Sequence, residues 1–140
     1  MPSQYRLKRR VQFYETDQAG IVHFSWFFRY MEEAEHALWR EAGLSIAPEG
    51  SEIGWPRVAA SCEFHRPLRF EDEFEVHLWV AAMTNKTIQY NALISMGDVT
   101  IASGSLTIAC VSKRAGEPMK AIDIPPQIAA RFQVAGSRLE

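Results

Sequence analysis

Asp17 is the residue of this chain whose type and place lend themselves most readily to chemistry. It stands in YETDQAGIVHFSWFFRYM, residues 14–31, where a strand-like run ends and a long aromatic run begins. A turn through Gln18-Ala19-Gly20, with structure resuming near Val22–Ser25, leaves the carboxylate beside the first turn of a helix. Unpaired N–H groups and the positive end of the helix dipole gather there, so a base and donors for a developing oxyanion would share one corner. The same spacing fits an aspartate that only bonds its own backbone in a turn, and pattern alone leaves the two readings open.

Other constellations fail on spacing. Cys62 and His65 suggest a nucleophile and a base, but three apart on a strand their side chains point to opposite faces. His23, His36, His65 and His77 show no ligand spacing, and GxGxxG, GxxxxGK[ST], GxSxG and HExxH are all missing. No metal site and no cofactor is expected. His36 reads as a solvated residue near a glutamate, and His65 and His77 as outward strand residues.

The elements that must position Asp17 follow from periodicity. Val11–Glu15 alternates as a half-buried strand that extends back toward Tyr5. Phe27, Tyr30, Met31, Ala34, Ala37, Leu38 and Ala42 then recur at three- and four-residue spacing, opposite Arg29, Glu32, Glu33, His36, Arg40 and Glu41. The spacing predicts an amphipathic helix from about Trp26 to Ala42, with Ser25 as N-cap and Gly43-Leu44 as the C-terminal stop. Ser45–Pro56 reads as a loop. Strands are predicted over Val58–His65, Phe74–Ala82, Thr87–Met96 and Val99–Val111, turning at Thr84-Asn85-Lys86 and Gly97-Asp98 as an antiparallel meander. Pro125-Pro126, Ile128 and Phe132 predict a short terminal helix.

Five or so strands and one long helix with a wide apolar stripe predict an α+β hotdog fold, a curved antiparallel sheet wrapped around the central helix, as a single domain over 1–140. Such a sheet leaves edges to be hidden, and a homodimer or homotetramer is expected. With 15 basic and 17 acidic residues, the chain has no basic surface suited to nucleic acid. The start, MPSQYRLKRR, is basic but lacks the apolar run of a secretory signal, and no stretch approaches a membrane span. Cys62 and Cys110 are expected as small core residues in a reducing cytoplasm.

The run Phe13–Val22, with its Thr16-Asp17-Gln18-Ala19-Gly20 centre and an aromatic-rich helix through Glu32, resembles the signature of the 4-hydroxybenzoyl-CoA thioesterase type of hotdog acyl-CoA thioesterases. Val58–Glu73 resembles the second and third strands of that family and the bend between them, and the likeness covers roughly Tyr5–Ile124. The resemblance implies hydrolysis of an acyl-CoA thioester to free acid and coenzyme A, with no cofactor beyond the coenzyme A of the substrate. It implies Asp17 as catalytic carboxylate and the Phe24 backbone N–H as oxyanion donor. His23 stands where many relatives have another residue, which leaves it as substrate contact, auxiliary base or packed residue. Trp55-Pro56-Arg57 matches the segment bordering substrate, and Lys86 a position on the coenzyme A phosphate; Thr84 and Asn85 replace the arginines that relatives carry just before it. Arg66, Arg69, Lys113, Arg114 and Lys120 are further cations able to serve. A related hotdog branch carries its carboxylate on the central helix, as Glu32 or Glu33 would. Hotdog hydratases, acting through Asp and His, and a non-catalytic binding module for acyl thioesters or proteins are the alternatives.

Overall fold

The first alternating run of the chain becomes a strand earlier than its pattern predicts. The computed structural model describes residues 3–135; Met1, Pro2 and residues 136–140, the ends of the expected 1–140 domain, lie outside the described residues. Strand β1 covers Gln4–Arg10, and Val11–Glu15, expected as strand, leaves the sheet and closes a single 3-10 turn at Phe13–Glu15. The cause is the Glu15 carboxylate. It is fully buried and takes the Gln12 N–H at 2.9 Å, which draws the chain into a turn.

Helix α1, Ser25–Glu41, buries Phe27, Tyr30, Met31, Ala34, Ala37 and Leu38 as predicted, and also Glu35 and Trp39. The residue flanking its start is Phe24 rather than Ser25, with no side-chain cap; Ser25 is the first helical residue, and its N–H reaches Nδ1 of His23 at 3.3 Å. At the other end Gly43 adopts φ +81°, the Gly43 N–H bonds the Arg40 carbonyl and the Leu44 N–H bonds the Trp39 carbonyl. That double bond pattern through a left-handed glycine terminates the helix where the sequence places the stop.

The remaining elements are β2 (Ile53–Gly54), β3 (Arg57–Phe64), β4 (Glu73–Met83), β5 (Thr87–Met96), β6 (Val99–Ala109), β7 (Val111–Ser112), β8 (Lys120–Ala121) and α2 (Pro126–Ala129). The main sheet is antiparallel in the order β1-β4-β5-β6-β3. Only β4, β5 and β6 form the expected meander, turning at Thr84–Lys86 and Gly97-Asp98. β3 is not the neighbour of β4 but pairs with β6 at the far edge, Ala60 opposite Leu106 and Phe64 opposite Ala102. β1 already occupies the edge of β4, and the bonds Val11 N–H to Asp72 O and Glu71 N–H to Val11 O tie the start of β4 to it. β2, β7 and β8 form a small second sheet; β2 falls in the segment expected as loop, β7 begins at Val111, the end of an expected strand, and β8 lies where no element was expected.

The helix lies on one face of the sheet, the α+β hotdog arrangement, and its close approach requires Gly104. A Cβ there would collide with the Met31 side chain and sit 2.8 Å from the Ser61 carbonyl. Cys110 is buried as expected, but Cys62 is only half-buried on edge strand β3, its thiol pushed up to about 11 by burial and the Glu63 charge. His77, expected to face outward into water, is buried against Trp79 and bonds Gln4 Oε1 at 2.7 Å. Burial and the neighbouring Arg6 lower its pKa.

Candidate active site

Residues 15–23 form a small closed loop between β1 and α1. Its foot is the bond from the His23 N–H to the Glu15 carbonyl at 2.9 Å. One step up, Thr16 and Val22 bridge, and the Asp17 N–H bonds the Ile21 carbonyl at 2.8 Å. Gly20, at φ +81°, supplies the left-handed residue that lets the tip reverse, and its N–H returns to the Asp17 carbonyl at 2.9 Å. The Asp17 side chain is half-buried, and its Oδ1 accepts the Ala19 N–H at 2.9 Å. The turn bond to its own backbone is therefore present, and it engages one carboxylate oxygen.

The same carboxylate opens onto a cleft of about 490 Å³. Ile21, Val22, Phe24 and Phe27 wall it from the loop and helix, and Phe64, His65, Arg66 and Pro67 from the end of β3. Phe27 and Phe64 meet edge to face across it, ring centroids 5.2 Å apart. The Phe24 N–H, at the helix start, has no protein acceptor among the described residues. A half-buried carboxylate and a backbone donor thus stand at one apolar cleft, the components that acyl transfer needs.

Residues 11–132 match the model of the thioesterase-like superfamily. The chain belongs to that superfamily. It is 37% identical over 130 residues to a putative esterase of Aquifex aeolicus, covering 91% of this chain and 95% of that one. It is 31% identical over 116 residues to a 1,4-dihydroxy-2-naphthoyl-CoA hydrolase of a Synechococcus strain, 74% of this chain and 76% of the relative. Among solved structures, a hypothetical protein of Aquifex aeolicus superposes with a TM-score of 0.85 at 31% identity, covering 92% of this chain and 99% of the other.

Within this thioesterase-family chain Arg66, one of the further cations, lines the cleft, and His23, Trp55, Pro56, Arg57 and Lys86 do not. His23 is exposed, stacks on Phe24 and holds the Ser25 hydroxyl at 2.8 Å through Nδ1; it does not line the cleft. Trp55 packs edge to face on buried Trp39, ring centroids 5.1 Å apart. Arg57 is ion-paired with buried Glu35 and with Glu32. Lys86 is paired with Asp123 at 2.6 Å. Pro56 lies between Trp55 and Arg57, its carbonyl bonded by the Ala109 N–H at 3.0 Å. Of the helix carboxylates, Glu33 is held by Arg9 and Glu32 by Arg57, and neither lines the cleft.

Three groups at the site escaped the sequence reading. Glu15 sits at the foot of the loop, its Oε1 receiving Arg9 Nη1 at 2.8 Å, the Gln12 N–H at 2.9 Å and the Tyr30 hydroxyl at 2.9 Å. Burial pushes the Glu15 carboxyl up, but these hydrogen bonds outweigh it and hold the group below the ordinary carboxylate range. Arg9 and Tyr30 are held protonated by the same contacts, against burial for Arg9 and together with burial for Tyr30. One signal was available: Arg9 shares the inward parity of Tyr5 and Leu7 on β1, and an inward arginine requires a buried acid.

Proposed function

We propose that this thioesterase-family enzyme hydrolyses an acyl-CoA thioester to the free acid and coenzyme A, in the manner of the 4-hydroxybenzoyl-CoA thioesterase type. The observation that carries it is one apolar cleft lined by both Asp17 and Phe24, whose N–H has no protein acceptor among the described residues. The thioester carbon would sit beside Asp17, with its carbonyl oxygen toward Phe24. Asp17 then either attacks the carbonyl, displacing the thiolate to give a mixed anhydride that water hydrolyses to the free acid and the Asp17 carboxylate, or draws a proton from a water that attacks the carbonyl directly. The departing coenzyme A leaves as a thiolate, and a parent thiol near the cysteine value of about 8.5 needs no strong acid to help it. The aromatic walls suit a ring-bearing acyl group, in keeping with the naphthoyl-CoA hydrolase among the relatives.

The proposal includes a second copy of the chain. Edge strand β3 leaves Val58 59% and Phe64 49% exposed, and Phe64 to Pro67 form one wall of the cleft. Pairing of two β3 edges across a two-fold axis would hide that edge and close the cleft from the open side. Arg57 and Lys86, being ion-paired, would reach coenzyme A phosphate only by exchanging a carboxylate for it, whereas Arg66 lines the cleft and has no ion pair among the described residues. The helix-carboxylate alternative draws no support from Glu32 or Glu33, each engaged with an arginine away from the cleft.

Thiol release from a panel of aromatic, short and long acyl-CoAs, followed with a chromogenic reagent, tests the reading. Asp17→Asn is expected to lower turnover by about 10²–10⁴-fold on the best substrate. Retention within about tenfold, a barrier change of only ~1.4 kcal/mol, removes Asp17 from the mechanism.

A further inference from the structure

Apart from the Ala19 N–H, nothing bonds the Asp17 side chain among the described residues, so its direction is inherited from the loop that carries it. That loop closes on Glu15, whose backbone carbonyl holds the His23 N–H and whose carboxylate reaches three other elements. Arg9 comes from β1, Tyr30 from the second turn of α1 and the Gln12 N–H from the 3-10 turn. Arg9 is itself clamped by Glu33 through Nε at 2.7 Å and Nη2 at 3.2 Å, and its guanidinium lies 4.7 Å from the centre of the Tyr30 ring. Glu15 and Tyr30 are without exposure, so water offers neither a substitute partner.

We propose that Glu15 is a positioning residue: through Arg9, Tyr30 and the Gln12 N–H it anchors the foot of the 15–23 loop and so sets Asp17 and the Phe24 N–H in register across the cleft. The inference rests on Asp17 being the reactive carboxylate. A buried acid held against Arg9 two residues from a half-buried one divides the work between them. Glu15 is sealed from solvent, with Oε1 taking three donors and Oε2 set against the Arg9 guanidinium, so no substrate reaches it, whereas Asp17 is half-buried and keeps an oxygen free of the turn bond. A neutral amide at position 15 would keep the size of the side chain but turn two N–H donors toward Arg9, which has only donors to offer.

Glu15→Gln is expected to lower kcat by ~10–100-fold, with KM within about threefold of the parent, because a misplaced reactive group loses rate more than binding. In the same variant the amide protons of Asp17, Gly20 and His23 should exchange faster while those of β5 and α1 keep their parent rates. Tyr30→Phe, which removes one hydrogen bond and no charge, should show the same pattern at a several-fold smaller kcat loss and serves if Glu15→Gln does not fold. A folded Glu15→Gln with kcat within twofold overturns the proposal, as does a kcat loss accompanied by uniformly faster exchange throughout the chain. Asp17→Asn is measured in parallel: full activity there overturns the catalytic reading itself, whereas its collapse beside an unaffected Glu15→Gln overturns only the positioning role.

Discussion

Two buried clusters of the same chemistry lie against α1 and serve different ends. Near its start, Arg9, Glu15 and Tyr30 meet; further along, Arg57, Glu35 and Tyr90 do, with the Trp39 Nε1–H donating to the Tyr90 hydroxyl at 2.9 Å. In each an arginine from an edge strand reaches a carboxylate with no exposure, and burial together with that charge raises the phenol pKa well above its ordinary value. The difference is where the acid sits. Glu35 belongs to the helix, already rigid through its backbone bonds, so its pairing fixes Arg57 and the start of β3. Glu15 belongs to a connection, so its pairing fixes the loop that carries the proposed catalytic carboxylate of Asp17. A buried ion pair contributes little net stability in itself, since desolvation offsets attraction, but it penalises every arrangement that separates the partners.

The comparison can be broken most directly by removing one acid. Glu35→Gln leaves Arg57 with only exposed Glu32, and the unfolding free energy from urea titration should fall by about 3 kcal/mol. An unchanged midpoint would mean that this second cluster constrains nothing. Tyr90→Phe leaves the Trp39 N–H without its acceptor and should cost about 1–3 kcal/mol while kcat stays within twofold. A kcat loss matching that of Tyr30→Phe would erase the distinction between the clusters.

Acid sharpens the contrast further, with a smaller effect. The Glu15 carboxyl is held below its unfolded value, so its contribution to stability is fully present above about pH 4.3 and is lost as pH falls through the folded value. Unfolding curves between about pH 6 and pH 3 should therefore steepen less with acid in Glu15→Gln than in the parent. Equal slopes would show that Glu15 gains no protection from its three donors.

Much of the fold is legible from spacing. The apolar stripe from Phe27 to Leu38, the Gly43 stop, the Gly97-Asp98 turn and the Pro126 start of α2 are written in neighbouring residues, because helix period, left-handed glycine and proline act locally. What escaped depends on residues distant in the chain. Val11–Glu15 alternates like a strand, yet the partners of Glu15 come from positions 9 and 30 as well as 12, and their pull overrides the pattern. β3 was legible as a strand but not as the partner of β6, since strand order depends on which edge β1 fills first. His77 reads as outward by parity, and only packing with Trp79 and Gln4 buries it.

For the site, Asp17 and the helix start beside it were legible because they lie within eight residues of each other in a turn-helix junction. By itself the sequence determined the long helix and the long strands from β3 to β6, its resemblance to thioesterases and the candidate carboxylate, because periodicity, turn chemistry and a short motif are properties of adjacent residues. Only the tertiary structure decided that Phe64 to Pro67 face that carboxylate, that Arg57 and Lys86 are already paired, and that Glu15 is sealed beneath the loop. Burial and charge pairing join residues up to dozens of positions apart, and no local pattern states which side chains will share a space from which water is excluded.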